Sequence, residues 1–283
     1  MVKVKMKNYL KRKITDKAMR ALTIFCALIV LVPLISIFVY VISKGIASIN
    51  IDFFTQLPKP AGEPGGGMAN AIIGSLILTG MASLWAIPAG VLGGLYLSEF
   101  STKKLGILIR FSADVLSGVP SIVIGIFAYS LLVRPLKSFS ALSGAFALGV
   151  IMIPTIMRTT EESARMVPHD LREASLALGI NRFKTTIRII LSTAMPGIIT
   201  GIMLSVARIF GETAPLLFTA FGNRFWHQGV TQPIAALPLQ IFVYAISPFD
   251  DWQRQAWAGA LVLIGLTFVI SLTSRIVTRQ KYK

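Results

Sequence analysis

From Ala21 to Ser43 the chain runs without a single charged residue. At about 1.5 Å of helix per residue, that run is long enough to cross ~30 Å of hydrocarbon. It lies behind a strongly basic tail, residues 1–20, and it lacks a small-residue cleavage site. It therefore reads as a retained first span rather than a cleaved leader. Further apolar runs follow at about Ala69–Leu97, Phe111–Val133, Ser140–Met157, Ile189–Phe221, which Arg208 and Glu212 break, and Ala256–Ser274. The expectation is an all-α polytopic membrane protein with six transmembrane helices over residues 21–274, followed by a second basic tail, 275–283.

Charge decides how such a bundle is oriented. The chain carries 28 Lys and Arg against 12 Asp and Glu, a formal +16. An excess of that size could point to nucleic acid, but the cations form no binding face. In a six-span arrangement only Lys44, Lys59, Arg134, Lys137, Arg224 and Arg254 fall outside, and Arg208 falls within the membrane. All the others lie on one side. Positive charge collects on the cytoplasmic side, so both termini are expected there. The stretch 225–249 has no Asp, Glu, Lys or Arg, yet it holds Pro233, Pro238 and Pro248 and has only a short apolar centre. It reads as an outer loop with an interfacial or re-entrant segment. A seventh span there would put the basic tail outside. Cys26 is the only cysteine, which excludes a disulfide within the chain and makes a cysteine-based metal site implausible.

Within the spans, Gly90 and Gly94 stand four apart, a spacing that lets another helix approach closely or merely loosens its own. Pro88 and Pro120 interrupt the backbone ladder, which is tolerable where protein rather than lipid surrounds them. Asp114 suits a channel, a cap or a loop contact. Glu161 and Glu162 beside Arg158 and Arg165 read as a solvated or subunit-contact face. His169 and His227 lie on opposite expected sides, so they cannot share a metal.

The longest polar interval after the tail runs from Arg158 to Pro196. Inside it, Pro168 to Ile180 reads as a short amphipathic helix. Asp170 and Glu173 sit in its first turn, Leu171, Ala174, Ala177 and Leu178 follow helical spacing, and Gly179 is placed to end it. Such a helix between two spans lies outside the membrane, available to a partner. Arg208 and Glu212 are a separate signal. A charge deep in a membrane costs about 3 kcal/mol on insertion scales unless it faces protein or water. Four residues apart, the two share a helical face. They either neutralise each other or form a pathway site, in which Arg208 meets an oxyanion through forked hydrogen bonds and Glu212 moderates its charge.

Glu173-Ala174-Ser175, three residues, Gly179, nine residues and Ile189-Ile190-Leu191 resemble the EAA loop of ABC-importer permease subunits. Ser175 stands where the pattern has its second alanine, and Ser192 where it ends in proline. Ala207-Arg208-Ile209-Phe210-Gly211-Glu212-Thr213-Ala214-Pro215-Leu216-Leu217 resembles the fifth-span signature of the PstA-type phosphate permeases, and Ala113 to Gly125 resembles their third-span signature. The resemblance covers the chain from the first span onward. It implies a type I importer permease fold with a cytoplasmic coupling helix, in a bacterial inner membrane. It also implies a heterodimer with a PstC-like permease, a PstB-like ATPase dimer that binds ATP and Mg and docks at Asp170, Glu173, Ala174 and Gly179, and a PstS-like phosphate-binding protein outside. No cofactor and no catalytic residue are expected in this chain, which lacks a phosphate-binding P-loop. Another oxyanion, sulfate or molybdate, would suit the same architecture. An ion-coupled secondary transporter would favour paired internal repeats, and none is visible.

Overall fold

The computed structural model describes residues 2–63 and 65–281. Met1, Pro64, Tyr282 and Lys283 lie outside the described residues, so one proline of the Lys44–Met68 loop and the end of the C-terminal tail fall there. Among the described residues thirteen α-helices run in the order α1 (Val2–Gly45), α2 (Ile51–Thr55), α3 (Ala69–Glu99), α4 (Lys103–Gly118), α5 (Ser121–Ala128), α6 (Arg134–Leu136), α7 (Ala141–Arg165), α8 (His169–Ala177), α9 (Arg182–Thr185), α10 (Leu191–Phe210), α11 (Ala214–Leu217), α12 (Leu237–Ala245) and α13 (Asp250–Lys281). Two π-helical turns, Tyr129–Val133 and Thr186–Ile190, join α5 to α6 and α9 to α10. Among the described residues five helical stretches are long and apolar enough to cross a membrane, and the pair α4 and α5–α6 makes a sixth if taken as one broken span.

Three boundaries differ from the sequence reading. The basic N-terminal tail is not separate from the first span, because α1 is continuous from Val2 through Pro33 to Gly45. The third span is not one rod starting at Phe111. Its inner part belongs to α4, which begins at Lys103, and the chain turns by 103° before Ser121. Val119 and Pro120 are extended at that corner, as expected where a proline forbids the residue before it from staying helical. The fifth span stops at Phe210 instead of Phe221. Hydropathy continues past that point, but Gly211 ends the helix and Pro215 restarts a new one in its first turn.

The core is the pairing of α3 with α7. Close approach is possible because a Cβ at Gly90 would sit 2.8 Å from the Ile156 Cβ, and one at Gly94 would sit 2.5 Å from the Met157 carbonyl oxygen. Of the two readings of that spacing, close packing is the one the structure shows. Trp85 stacks on Phe146 at 5.7 Å beside it. Leu78, Leu148, Met152, Ile156, Ile209 and Leu216 fill the space between α3, α7, α10 and α11. A second cluster holds Phe53, Met68, Leu237, Tyr244 and Trp252, with the last two rings stacked at 4.4 Å. It seats α12 against α13, so residues 225–249 form a short helix within loops rather than a span. The apolar length of α1 is unburied. It meets α13 near its end, through Tyr40 against Trp257.

Candidate functional site: a broken-helix arginine and an exposed coupling helix

Arg208 lies in the last turn of α10. Its neighbours Ile209 and Phe210 are fully buried and anchor the helix end in the core, while its own side chain is 49% exposed. A cation there complements the partial negative charge of the helix terminus. Gly211 and Glu212 bond back to the carbonyls of Arg208 and Ile209 and leave the helix. Glu212 is therefore not one turn further along the same helix, as its spacing suggested. The break nonetheless returns its carboxylate to 3.8 Å from Arg208 Nε, with only 17% of the side chain exposed. That distance exceeds a hydrogen bond. The guanidinium is thus balanced by a half-hidden carboxylate without being tied to it. α11 then packs its Pro215 onto Gly125 of α5, where a Cβ would come within 2.6 Å of the proline Cα. The fifth-span break is thereby joined to the arm that follows the third-span bend.

The second site is α8. Asp170 lies in its first turn, where a negative charge suits the helix dipole. Its end is a glycine cap. Gly179 has φ +74, its N–H bonds the Leu176 carbonyl at 2.9 Å, and Ile180 N–H bonds the Ser175 carbonyl at 3.2 Å. The left-handed conformation there favours glycine. Asp170, Leu171, Glu173, Ala174, Ala177 and Leu178 are all exposed, and Glu173 borders a cavity that Glu99 and Arg172 also line. Glu173 takes only a local contact, with His169 Nδ1 at 3.1 Å. The opposite face is fastened. Ser175, the departure from the alanine pattern, is buried and shares a 2.8 Å hydrogen bond with Thr185. Ser192 and Pro196 both lie inside α10, so the chain leaves the loop as helix with no proline stop.

Several functional-looking groups were not legible from the sequence. Glu161 is not solvated: its side chain is 6% exposed and holds Arg110 at 2.7 Å and Arg165 at 2.6 Å. Asp114 pairs with Arg158, which also reaches Glu162 at 3.4 Å. Glu99, at the end of α3, is 8% exposed and pairs with Arg172 of α8 at 3.0 Å. A carboxylate at the end of an apolar run was the one available signal for Glu99. Its partner stands too far along the chain for spacing to reveal it. Among the described residues no three His, Cys, Asp or Glu side chains gather as a metal site.

Comparison with known proteins identifies the family and the fold. Residues 86–281 match the family described as the binding-protein-dependent transport system inner membrane component. The chain is 47% identical to the phosphate transport system permease protein PstA of Xylella fastidiosa, over 83% of this chain and 82% of that one. It is 42% identical to the protein of the same name from Haemophilus influenzae, over 95% of this chain and 96% of that one. In three dimensions it resembles a chain of a bacterial alginate ABC transporter solved with its periplasmic protein. The TM-score is 0.70 at 14% identity, with 95% of this chain and 96% of that chain covered. A chain of the inward-facing MetNI methionine ABC transporter gives 0.60 at 17% identity, with 76% and 94% covered. The fold is that of a type I ABC-importer permease. The chain belongs to the binding-protein-dependent transport system inner membrane component family.

Proposed function

We propose that this chain is the membrane-spanning permease subunit of an ATP-driven inorganic phosphate importer, forming half of the translocation pathway in a bacterial inner membrane. The cargo rests on relatives named as phosphate transport permeases that align with most of the chain. The observation that carries the mechanism is Arg208, half-exposed at a broken helix end and balanced by Glu212 at 3.8 Å. A guanidinium held this way keeps N–H donors free for an oxyanion, in the forked geometry that phosphate accepts. Glu212 offsets part of the charge, so the anion is met without being trapped.

The exposed face of α8, with Asp170, Glu173, Ala174 and the Gly179 cap, serves as the dock for a separate ATPase that holds ATP and Mg. A second, PstC-like permease completes the pathway, two PstB-like ATPase subunits lie beneath it, and a PstS-like binding protein delivers phosphate from outside. Both termini then lie in the cytoplasm. Closure of the ATPases around ATP would move α8, and with it the spans that flank the Arg208 break.

The test is labelled phosphate uptake in cells carrying the whole importer, comparing the native chain with Arg208→Gln at equal membrane abundance and adding sulfate or molybdate in excess. Phosphate-selective uptake that is lost in the variant is the expected result. Uptake unchanged in the variant would remove Arg208 from the pathway and leave the pair with Glu212 as structural neutralisation. Equal competition by another oxyanion would replace the cargo.

A further inference from the structure

The coupling helix α8 is joined through the chain to α7 on one side and to α9 and α10 on the other. Its buried face, however, is tied to α3, which is nowhere near it in sequence. Arg172 Nη2 donates to Glu99 Oε1 at 3.0 Å and to the Ala164 carbonyl at 2.7 Å. Ser98 Oγ donates to the same carboxylate oxygen at 2.9 Å. Arg182 donates to the Glu99 carbonyl, and its guanidinium lies 5.3 Å from the Phe100 ring centroid. Arg110 adds a bond to the Leu97 carbonyl at 3.2 Å. The C-terminus of α3 is thus gripped by arginines on three different elements.

The other end of α3 is gripped as well. Asn70 Nδ2 donates to the Asn223 carbonyl at 2.7 Å, and Ser75 Oγ accepts from Leu237 N–H at 2.7 Å. Between them, Gly74 lets the Ala235 carbonyl approach so closely that a Cβ would sit 2.0 Å from it. The segment 223–237 is the one that follows the Glu212 break and α11. A helix of 31 residues spans about 46 Å. α3 therefore reaches from the coupling helix to the strap that follows the Arg208–Glu212 break, with side-chain hydrogen bonds at both ends.

We propose that α3 is a strut that carries movement of the coupling helix to the strap 223–237, and that Glu99 is the positioning residue that locks its inner end to Arg172. This rests on the permease reading above. A charge pair whose carboxylate is buried and whose guanidinium is largely covered is suited to the task. Low dielectric strengthens it, and neither partner can slide without leaving the other unpaired. The covalent connections of α8 move α7 and α10 directly; α3 packs against both, and this pair is its side-chain link to α8 itself.

The experiment uses the complete importer reconstituted in liposomes, with ATP hydrolysis measured with and without phosphate-loaded binding protein. The native importer is measured first. If it neither imports phosphate nor responds to the binding protein, the permease reading fails before the strut is tested. Glu99→Gln and Arg172→Gln should each lower the stimulation about 5- to 10-fold, a typical coupling between distant sites, with unstimulated hydrolysis and co-purifying ATPase unchanged. The double variant Glu99→Gln/Arg172→Gln leaves no unpaired charge, so it accumulates even if the single variants do not. It should stay as uncoupled as they are. Native stimulation in the double variant would overturn the proposal, because the pair would then be a matter of folding alone. At the far end, Ser75→Ala should also weaken the response, and full stimulation there would sever the strut from the strap.

Discussion

Replacing Gly94 with alanine tests the packing on which the bundle depends. The added Cβ would lie 2.5 Å from the Met157 carbonyl oxygen and 2.6 Å from Thr160 Cβ. Backbone oxygen cannot rotate away, so α3 and α7 must separate by about 0.9 Å to restore ordinary contact. A gap of 0.5–1 Å already forfeits about a quarter to a half of each affected dispersion contact. In a membrane these contacts are the main attraction between helices, since lipid is as apolar as the side chains. Overpacking costs about 1–3 kcal/mol, and the loss along the seam puts this case near the upper end. Alanine recovers up to ~1 kcal/mol through its better helix propensity. The expected net loss is about 1–2 kcal/mol, a fall of roughly 2–6 °C in the unfolding midpoint of the purified chain. Gly80→Ala is the control: it lies in the same helix, with nothing within 4 Å of its Cβ position, and should unfold at or slightly above the native midpoint. A Gly94→Ala midpoint as high as that of Gly80→Ala would show that the α3–α7 seam yields freely, and the strut would lose its backing.

Three other outcomes are expected. Glu173→Lys reverses an exposed charge on the outward face of α8, so the chain should still insert while the ATPase no longer co-purifies; normal association would move the dock elsewhere. Ser175→Ala restores the alanine of the EAA pattern but removes the buried bond to Thr185, at a cost of about 1 kcal/mol, read as a lower unfolding midpoint with docking retained. A reporter fused after Lys283 should be active only in the cytoplasm, and an external signal would reverse the topology.

What the sequence made legible depends on how local the cause was. Gly179 after a short amphipathic run placed the end of α8 correctly, because a glycine cap is decided by neighbouring residues. Gly90 and Gly94 announced a packing face for the same reason. The breaks were harder to see. Arg208 and Glu212 marked an interruption in the fifth span, but Ala214, Leu216 and Leu217 are as apolar as a continuing helix would be, and only backbone geometry shows that the helix has ended. The corner at Val119–Pro120 was visible as a proline but not as a turn of 103°, because the amphipathic α4 before it looked like a loop followed by the start of a span. Arg208 and Glu212 come together as expected, though by a route the helical spacing did not describe.

The buried carboxylates explain why the rest was hidden. In a chain with 28 basic and 12 acidic residues, charge pattern alone cannot say which cation any acid will meet. Geometry makes that choice, and at this end of the bundle it selects arginine. Arg172 serves Glu99 and the Ala164 carbonyl together, and Arg110 serves Glu161 and the Leu97 carbonyl together. A planar fork can bond a side chain of one helix and the frayed carbonyl of another at once, whereas an ammonium is a point charge on a flexible stem. Each arginine therefore meets two needs with one side chain: an ionised carboxylate away from water, and a helix-end carbonyl that has capacity for a second hydrogen bond. The same economy makes these pairs directional. They bind helix termini to one another, so they fix where α3, α4, α7 and α8 meet more firmly than they add stability, and that is the property a coupling element requires.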